Sequence, residues 1–451
     1  MLESADHAEA EVVIVGAGIA GLSAAHQLTS AGVTTVVLEA APYVGGRMST
    51  EELDGFRLDR IGQLLSTSYP ELRRTPGLGA LVLHPLSPGI LVHSEGRVRR
   101  IWEPGGGWGS ARGPARSARG ALTAARALAS APSGSGRPAM GAALDQARLG
   151  AALARLAATP ARRVLARPEL PAAQALSTRG LPPRTVDGFL RPLLSALLCD
   201  PDLTATSSRV ADLVLRGFAR GRLCLPEGGA ASLPTLLASA LPPGTVRTGV
   251  KAVEVSTSAV RTADHGELRC RAVLLATGAR QAAELLPGLR MPSFHPVTVV
   301  HHTAPSSPLA SPALVLDADR VGPVSHTAVI SEVDPSRAPS GRPLISSVIL
   351  GPPPSEPAIR SHLARLYGTS TADWELLAVH HDPEAVPAMP APHDLRRAVR
   401  LLAGLYVCGD HRDTSTVQGA LHSGRRAGRA VLRDFGVEVA GGADLLVPVA
   451  A

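Results

Sequence analysis

The stretch Val12-Val13-Ile14-Val15-Gly16-Ala17-Gly18-Ile19-Ala20-Gly21 decides the fold of this chain. Its four leading apolar residues predict a buried strand, and its three glycines have the spacing of a strand-to-helix turn that binds a dinucleotide. Gly16 permits the tight turn, Gly18 lets the backbone approach a pyrophosphate, and Gly21 lets the helix pack closely on the strand. The helix that starts at Gly18 directs free N–H groups and the positive end of its dipole towards the phosphates.

The residues that follow complete a βαβ unit. Residues 22–31 have apolar side chains at helical spacing, Gly32 ends the helix, and residues 34–38 form a β-branched strand that closes on Glu39. The Glu39 carboxylate can accept hydrogen bonds from both ribose hydroxyls, whereas it would repel a 2'-phosphate. The sequence therefore predicts a site for a dinucleotide whose adenosine has a free 2'-hydroxyl.

Three further motifs carry a family resemblance. In Ala40-Ala41-Pro42-Tyr43-Val44-Gly45-Gly46-Arg47, two glycines let the loop approach a ligand and the arginine can bind a phosphate bidentately. Leu405-Tyr406-Val407-Cys408-Gly409-Asp410 is a strand closing on Gly-Asp, and Ser415-Thr416-Val417-Gln418-Gly419-Ala420 opens a helix. Together with the first turn, these motifs resemble the flavin amine oxidase superfamily over nearly the whole chain, most strongly at residues 12–71 and 405–430.

Within that superfamily the chain is most similar to the phytoene-desaturase-like, or protoporphyrinogen-oxidase-like, branch. The similarity is carried by residues 54–60 with Gln63, by Tyr69-Pro70-Glu71, by Phe189-Leu190-Arg191-Pro192 and by Gly409-Asp410-His411-Arg412. Two departures stand out, because Ile61-Gly62 replaces the Gly-Phe pair of the branch and Gly229-Ala230 replaces its Gly-Met pair. We therefore expect a substrate pocket that differs from those of the relatives.

The resemblance implies that FAD is the cofactor. The glycine turn, Glu39 and Arg47 would hold its ADP half, and Asp410 would bind the ribityl or pyrophosphate region. The helix that begins near Val417 and Gln418 would direct N–H groups at the pyrimidine carbonyl of the flavin, where negative charge accumulates on reduction. Val250 would contact the adenine, although Val250 and the strand before Gly278 could also be simply core strands. The residues expected to contact FAD are Gly16, Gly18, Ile19, Ala20, Gly21, Glu39, Ala40, Gly45, Gly46, Arg47, Val250, Ala276, Thr277, Gly278, Gly409, Asp410, Val417, Gln418 and Ala420.

Candidate catalytic residues are few. His411, Arg60 and Gln63 are expected near the flavin ring, where a positioning role is favoured over proton transfer. The pairs His301-His302 and His380-His381 alternate faces if they lie in strands, and no HxxxH or CxxC spacing indicates a metal site. We therefore predict no metal and interpret these histidines as surface or wall residues.

The expected fold class is α/β, or α+β overall. It has a Rossmann-like FAD-binding domain of the glutathione-reductase-type, amine-oxidase fold and an interleaved substrate domain of helices plus a mixed β-sheet. The discontinuous FAD-binding domain would comprise residues 1–85, 222–288 and 396–440, with a helical substrate or cap insertion at 86–221. A β-sheet insertion would span 289–395, and residues 441–451 would form a flexible tail. Expected strands lie at residues 297–301, 328–332 and 344–350, and expected loops at 104–109 and 131–138.

Length and composition fit this organisation. The chain has 451 residues and 45% hydrophobic residues, enough for two cores, and no apolar run approaches the roughly 20 residues needed to span a bilayer. The first residues are acidic and lack a signal-peptide pattern, and the four cysteines are scattered through apolar runs. We expect buried, reduced thiols and a cytoplasmic protein.

The basic charge does not indicate a nucleic-acid partner. The formal net charge is +7, but the basic residues are almost all arginine and are not interleaved with aromatic residues. Residues 104–168 are rich in arginine, and Arg148, Arg155 and Arg162 recur every seven residues, which predicts one amphipathic helix with a basic stripe. That stripe is either a solvated face or a surface that contacts an anionic membrane, an acidic partner protein or a carboxylated substrate.

The chain has no second GxGxxG unit, so dioxygen or a quinone-like carrier is expected to reoxidise the flavin.

Three functional classes stay open. Many amine oxidases of the superfamily use a lysine near flavin N5 and an aromatic cage, whereas this chain has a single lysine, Lys251, and 3% aromatic residues. Dehydrogenation of an apolar or polycyclic small molecule by hydride transfer to N5 is therefore favoured. The alternatives are an amine or amino-acid oxidase that releases hydrogen peroxide, and a flavin-binding protein with vestigial or partner-dependent redox activity.

Overall fold

The computed structural model describes residues 10–101 and 140–437 of the chain. The strands are β1 (Val12–Val15), β2 (Thr35–Glu39), β3 (Thr50–Leu53), β4 (Phe56–Asp59), β5 (Leu65–Ser66), β6 (Leu83–Pro85), β7 (Ile90–Ser94), β8 (Arg97–Ile101), β9 (Leu223–Pro226), β10 (Val246–Thr248), β11 (Ala252–Val255), β12 (Ala259–Thr262), β13 (Glu267–Arg269), β14 (Ala272–Leu275), β15 (Phe294–Thr303), β16 (Val315–Asp317), β17 (His326–Val329), β18 (Leu344–Ile349), β19 (Glu375–Pro387), β20 (Arg400–Leu402) and β21 (Leu405–Val407).

The α-helices are α1 (Ile19–Thr29), α2 (Glu71–Arg74), α3 (Met140–Ala158), α4 (Ala161–Leu165), α5 (Ala172–Ser177), α6 (Pro183–Thr185), α7 (Arg191–Leu198), α8 (Ser208–Arg220), α9 (Ser232–Ser239), α10 (Ala279–Leu285), α11 (Ile330–Val333), α12 (Glu356–Tyr367) and α13 (Val417–Asp434). A π-helical turn at Val186–Leu190 joins α6 to α7, and 3₁₀ turns lie at Pro335–Arg337 and Asp410–Arg412.

A six-stranded sheet of order β10-β2-β1-β14-β21-β20 forms the first domain. Its strands are parallel except β20, which is antiparallel to β21. Every residue of the central strand β1 is buried: Val12 and Ile14 enter one hydrophobic core, and Val13 and Val15 enter another on the opposite face. A continuous apolar run is what a parallel strand covered on both faces requires, so the predicted Rossmann-like sheet is confirmed.

The first and last helices of this domain pack against each other on one face of the sheet. A Cβ added at Gly424 of α13 would lie 2.0 Å from the Ala20 carbonyl oxygen of α1. The Ser23 hydroxyl of α1 also donates a hydrogen bond of 3.0 Å to the Leu421 carbonyl. Residues about 400 positions apart in the chain therefore meet here at backbone distance.

A seven-stranded mixed sheet of order β19-β15-β18-β17-β16-β7-β8 forms the second unit. Only β16 and β7 pair in parallel within it, so the predicted mixed sheet is confirmed. Two expectations were wrong. Residues 90–101 are strands of this sheet rather than part of a helical insertion, and the strand predicted at 328–332 ends at Val329, since Glu332 lies in α11.

The helical region between the sheets also differs from expectation. Leu149, Leu153 and Leu156 of α3 are buried, as the helical spacing predicted. However, Pro160 separates α3 from α4, so Arg162 does not continue the stripe of Arg148 and Arg155 on one helix. A proline has no N–H to donate and its ring clashes with the preceding turn, which explains the break. Residues 102–139 and 438–451, which include both expected loops and the expected tail, lie outside the described part.

All four cysteines are buried free thiols, as predicted. Burial raises the pKa of the Cys408 thiol to about 12, so it is protonated and inert near neutral pH. Among residues 10–101 and 140–437, no helix has both the length and the apolar character needed to cross a membrane.

The contact between α1 and α13 predicts the effect of one methyl group. We expect Gly424→Ala to lower the free energy of unfolding by at least about 1–3 kcal/mol, because a rigid backbone carbonyl occupies the space of the new Cβ. Denaturant unfolding of the FAD-saturated proteins measures this change. Gly188→Ala is the control, since no atom lies within 4 Å of a Cβ there. Equal midpoints for the two variants would contradict the packing described.

Candidate dinucleotide site

The three glycines of the first turn have different surroundings. Gly16 has a φ of +109°, and its added Cβ would lie 2.9 Å from the backbone of Ala276. A Cβ at Gly21 would lie 2.1 Å from the Gly16 carbonyl oxygen. Gly18 faces open space, with nothing within 4 Å of an added Cβ. Two glycines are therefore required by packing, and the third borders a space that a ligand can enter.

The Gly45-Gly46 loop lies beside this turn. The Gly45 N–H donates to the Ala17 carbonyl at 2.9 Å, and Gly45 forms a parallel bridge with Gly18. Both glycines have positive φ, +111° and +57°, and an added Cβ at Gly46 would again meet open space. Two glycine segments thus border the same gap at the N-terminus of α1, where Ile19 and Ala20 form the first turn.

The Glu39 carboxylate is held in a fixed orientation at the end of β2. Its Oε2 accepts from the Ala17 N–H at 2.8 Å and its Oε1 accepts from the Ala41 N–H at 2.9 Å. A carboxylate has about four acceptor positions, so two remain for ribose hydroxyls. The adjacent Ala40 is exposed.

Of the residues expected at the adenine end, one has a backbone group open to a ligand and another has a packing role. Val250 lies beside Glu39 and donates its N–H to the Glu39 carbonyl at 2.8 Å, so only its carbonyl is open to a ligand. Ala276 is buried beneath the glycine turn and donates to the Val15 carbonyl, which is a packing role. Thr277 and Gly278 follow it at the start of the short helix α10.

Arg47 and Asp410 join the two ends of the site. Their Nη2 and Oδ1 atoms are 2.7 Å apart, and Arg47 also donates to the Ala385 carbonyl of β19 at 2.6 Å. Burial raises the pKa of the Asp410 carboxyl, but the Arg47 charge more than offsets this and holds the pKa below its usual value. Gly409, which precedes the aspartate, has a φ of +141° and donates to the Ser423 hydroxyl. The expected phosphate ligand Arg47 is thus positioned by the expected ribityl ligand Asp410.

The N-terminus of α13 offers two free donors. The Thr416 hydroxyl caps the helix by accepting from the Gly419 N–H at 3.1 Å, and the Ala420 N–H donates to the Thr416 carbonyl at 2.9 Å. Ala420 therefore has no free N–H for FAD, contrary to expectation. The N–H groups of Val417 and Gln418 donate to no acceptor in the described residues. Free N–H groups at the positive end of an 18-residue helix suit a carbonyl that gains negative charge.

Sequence reasoning missed the groups that hold this helix terminus. Glu71 of α2 and Arg425 of α13 form a buried bidentate ion pair at 2.8 and 3.0 Å. The Gln418 side chain accepts from the Glu71 N–H at 3.0 Å, so it faces α2 rather than a ligand. Glu71 lies in the Tyr69-Pro70-Glu71 motif and Arg425 lies in the matched range 405–430, but the two are 354 positions apart and only the fold brings them together.

The three catalytic candidates lie in different environments. His411 is buried, and neither ring nitrogen has a hydrogen-bond partner in the described part of the chain. Burial lowers its pKa to about 4, so the imidazole is neutral near pH 7 and cannot act as a general acid there. Gln63 donates to the Ser415 carbonyl at 3.1 Å, next to the N-terminus of α13. Arg60 is exposed and pairs with Glu51 at 3.2 Å on the β3–β4 hairpin, so it does not meet the other two.

An apolar sheet face lies against the loop that carries Gly62. An added Cβ at Gly62 would be 2.4 Å from Cγ2 of Val348 and 3.5 Å from Cγ2 of Val299. In this chain the Val348 side chain fills the space that a side chain at position 62 would need, so the glycine of the first departure fits this packing. The buried apolar cluster around it contains Cys199, Val297, Val299, Val348, Ala385 and Val386.

The two His-His pairs, predicted to be surface or wall residues, differ in their exposure. His381 is exposed, but His301 and His302 are buried. The His301 Nε2 donates to the Asp59 carbonyl at 2.9 Å, so its Nδ1 accepts from the Ser346 hydroxyl at 2.8 Å. Burial lowers the pKa of His301 to about 3, and it is a neutral structural residue.

The arrangement fits an extended dinucleotide. The open space at Gly18 and Gly46, the oriented Glu39 carboxylate, the Arg47–Asp410 pair and the free donors of α13 line one continuous edge of the first sheet. This edge is where the carboxyl ends of parallel strands meet and where nucleotides bind in such sheets. The individual ligand contacts stay predictions.

Known proteins with similar sequences include flavin-dependent oxidoreductases. The family model of flavin-containing amine oxidoreductases matches residues 19–432. A segment of 64 residues is 50% identical to a putrescine oxidase from Kocuria rosea, over 14% of this chain and 13% of that protein. Another of 49 residues is 51% identical to a carotenoid 3,4-desaturase from Haloarcula japonica, over 11% of this chain and 10% of that protein. The chain thus matches only 13% or less of the length of these two relatives.

Solved structures match over much longer ranges. An oxidoreductase from Methanosarcina mazei has a TM-score of 0.67 at 15% identity, covering 92% of this chain and 99% of that one. A protoporphyrinogen-oxidase-like protein from an Exiguobacterium species has a TM-score of 0.64 at 18% identity, covering 95% and 99%. At these identities the likeness shows a shared fold.

Removal of the Glu39 carboxylate should weaken cofactor binding. We expect Glu39→Ala to raise the Kd for FAD at least tenfold, since it removes the ribose acceptor and leaves the Ala17 and Ala41 N–H groups without their acceptor. Fluorescence titration of the apoprotein with FAD measures the change. The Kd of Glu39→Gln should lie between those of the wild type and Glu39→Ala, because an amide has one acceptor oxygen. Glu254→Ala is the control, as that glutamate is exposed and pairs with Arg261. An unchanged Kd in Glu39→Ala would remove this residue from the site.

The neutral His411 predicts an acid-sensitive fold. The unfolded chain binds a proton at this histidine below about pH 6.5, whereas the folded protein does so only near pH 4. The contribution of this histidine to the free energy of unfolding is therefore fully present above pH 6.5 and is lost as the pH drops towards 4. We expect His411→Gln to reduce that loss by up to about 3 kcal/mol in unfolding measured from pH 7 to 4. The exposed His265→Gln should keep the wild-type slope. An identical slope in His411→Gln would show that this imidazole is not held neutral.

Proposed function

The chain belongs to the flavin-containing amine oxidoreductase family and is an FAD-dependent oxidoreductase, and from this premise we propose that it dehydrogenates an apolar or polycyclic small molecule. FAD, when bound, accepts a hydride at N5. The protein must then present a C–H bond to that atom, exclude water and stabilise the charge that develops.

The apolar sheet face at Gly62 carries this proposal. Val299 and Val348 contact the loop between β4 and β5, and they belong to a buried cluster of apolar side chains that also contains the Cys199 thiol. Burial raises the pKa of that thiol to about 12, so the cluster is uncharged at neutral pH. An uncharged apolar wall binds an apolar substrate by removing its surface from water.

The position of the single lysine supports the same choice. Lys251 is exposed and follows Val250, which contacts the Glu39 backbone at the adenine end of the site. It therefore lies at the opposite end of the sheet edge from Gln63 and the N-terminus of α13. A lysine-dependent amine oxidation has no lysine available there.

The chain's own residues divide the remaining tasks. The free Val417 and Gln418 N–H groups would stabilise negative charge at the pyrimidine end of the flavin. Gln63, fixed to the Ser415 carbonyl, and the neutral His411 are positioning residues in this scheme. The substrate proton would leave to water or a weak base, and dioxygen or a quinone-like carrier would reoxidise the flavin.

Two other functions are distinguished by the same experiment. Relatives include a putrescine oxidase, and an amine oxidase would release hydrogen peroxide and ammonia when amines are added. A protein with vestigial activity would bind FAD and be reduced by no small molecule. A cytoplasmic location and a membrane or acidic partner for the arginine-rich segment remain predictions.

Anaerobic reduction of the bound flavin tests the proposal. We expect the flavin absorbance near 450 nm, roughly the position typical of flavins, to bleach with a partly saturated polycyclic or polyene substrate and to persist with putrescine. Val299→Thr adds a hydroxyl to the wall without changing its volume, and should slow the reduction about tenfold or more with FAD content unchanged. Val253→Thr is the control because Val253 is exposed on β11. Lys251→Met should leave the rate of flavin reduction within about twofold of the wild-type rate, because Lys251 follows Val250 at the adenine end of the site.

Bleaching by amines with release of peroxide would overturn the proposal in favour of an amine oxidase. Retention of FAD without reduction by any class of compound would favour the vestigial function.

A further inference from the structure

A histidine and two aspartates converge at the far side of the second sheet, away from the dinucleotide site. We propose that His93, Asp317 and Asp319 form a binding site for a divalent transition-metal cation of the zinc class. Strands β7 and β16 pair in parallel with His93 directly opposite Asp317, so the two side chains lie next to each other on one face. Asp319 follows two residues later, and one ligand atom from each residue lies within 4.8 Å of the other two.

One ring nitrogen of this cluster is buried without a hydrogen-bond partner. His93 and Asp317 are each 3% exposed, and the His93 Nδ1 atom forms no hydrogen bond with any described group. The Nδ1 atom lies 3.6 Å from Asp319 Oδ2, too far for a hydrogen bond. A buried polar atom without a partner is costly, and a metal ion beside the His93 Nδ1 atom would satisfy it.

The charge of the cluster also calls for a cation. Neither carboxylate forms an ion pair with an arginine or lysine among the described residues, and the neighbouring Arg320 pairs with Asp202 instead. A cation between the two carboxylates would offset their mutual repulsion and the cost of burying the Asp317 charge. One histidine nitrogen with two carboxylate oxygens is a donor set that suits Zn²⁺, with water completing the coordination.

The surrounding groups hold the ligands in place. Asp317 Oδ1 accepts from the Asp319 N–H at 3.1 Å, and Asp319 accepts from the Glu95 N–H at 2.9 Å. His362 accepts the Val324 N–H at Nδ1, 3.1 Å away, so its proton is on Nε2, 3.3 Å from Asp317 Oδ2. A donor behind a carboxylate ligand is the usual arrangement around protein-bound metals.

An open pocket borders one of the proposed ligand residues. Ser195, Arg320 and Ser325 line it together with Asp317. Zinc ligands at about 2.0–2.2 Å from the ion lie roughly 3.3–3.5 Å apart. A modest rotamer adjustment of His93 and Asp319 therefore closes the observed arrangement around an ion. The bound ion would fasten β7 to the rest of the second sheet, independently of flavin chemistry.

Zinc titration of the full-length, FAD-loaded protein after dialysis against a chelator tests the site. We expect calorimetry to show one saturable Zn²⁺ site per chain, and Co²⁺ to produce visible d–d bands. Asp317→Asn and His93→Ala should each raise the Kd at least tenfold, and His362→Gln about ten- to a hundredfold. His265→Ala is the control, since that histidine is exposed on the three-stranded sheet of β11, β12 and β13.

The flavin spectrum reports folding in every variant. If Asp317→Asn does not fold, the part-exposed Asp319→Asn takes its place, with the same expected loss of affinity. Absence of saturable zinc binding, or equal affinity in wild type and in the His93 and aspartate variants, would overturn the proposal. In that case the cluster is a set of histidine–aspartate pairs that need no metal. Neither outcome depends on the identity of the substrate.

Discussion

The absence of a Cβ at a few glycines allows β1, α1 and α13 to meet at backbone distance, and the rest of the structure depends on that contact. A Cβ at Gly21 would lie 2.1 Å from the Gly16 carbonyl oxygen, and one at Gly424 would lie 2.0 Å from the Ala20 carbonyl oxygen. The first contact sets the helix on the strand. The second brings the last helix onto the first, and with it the Gly-Asp turn and the free donors of α13. Both ends of the chain therefore contribute to one sheet edge.

Electrostatics then positions the groups at that edge. The Arg47–Asp410 pair connects the glycine-rich loop to the C-terminal turn, and the Glu71–Arg425 pair connects α2 to α13. Such pairs contribute orientation more than stability, because the cost of burying the charges offsets much of their attraction. The buried neutral histidines make the free energy of unfolding depend on pH. Burial lowers the pKa values of His411 and His301, so acid destabilises the folded state through them.

The second sheet contains the residues on which both proposals rest. Its apolar face lies against the loop between β4 and β5 at Gly62, where the proposed hydride transfer would require an environment without water. The pairing of β7 with β16 brings a histidine opposite an aspartate elsewhere in the same sheet. Residues 90–101, expected to be helical, supply this pairing. Because this segment was expected to belong to a helical insertion, the sequence-based interpretation did not place His93 opposite Asp317.

The sequence by itself determined the glycine turn, the strand-helix-strand unit that ends at Glu39, and the buried thiols. These features depend on short-range geometry, in which glycine spacing and side-chain periodicity specify the local backbone directly. Only the tertiary structure decided that Glu71 pairs with Arg425, that Gly62 lies against Val348, and that His93 faces Asp317. Most of these depend on strand register and helix packing between residues far apart in the chain. No local pattern encodes that register, because many pairings bury the same apolar residues equally well.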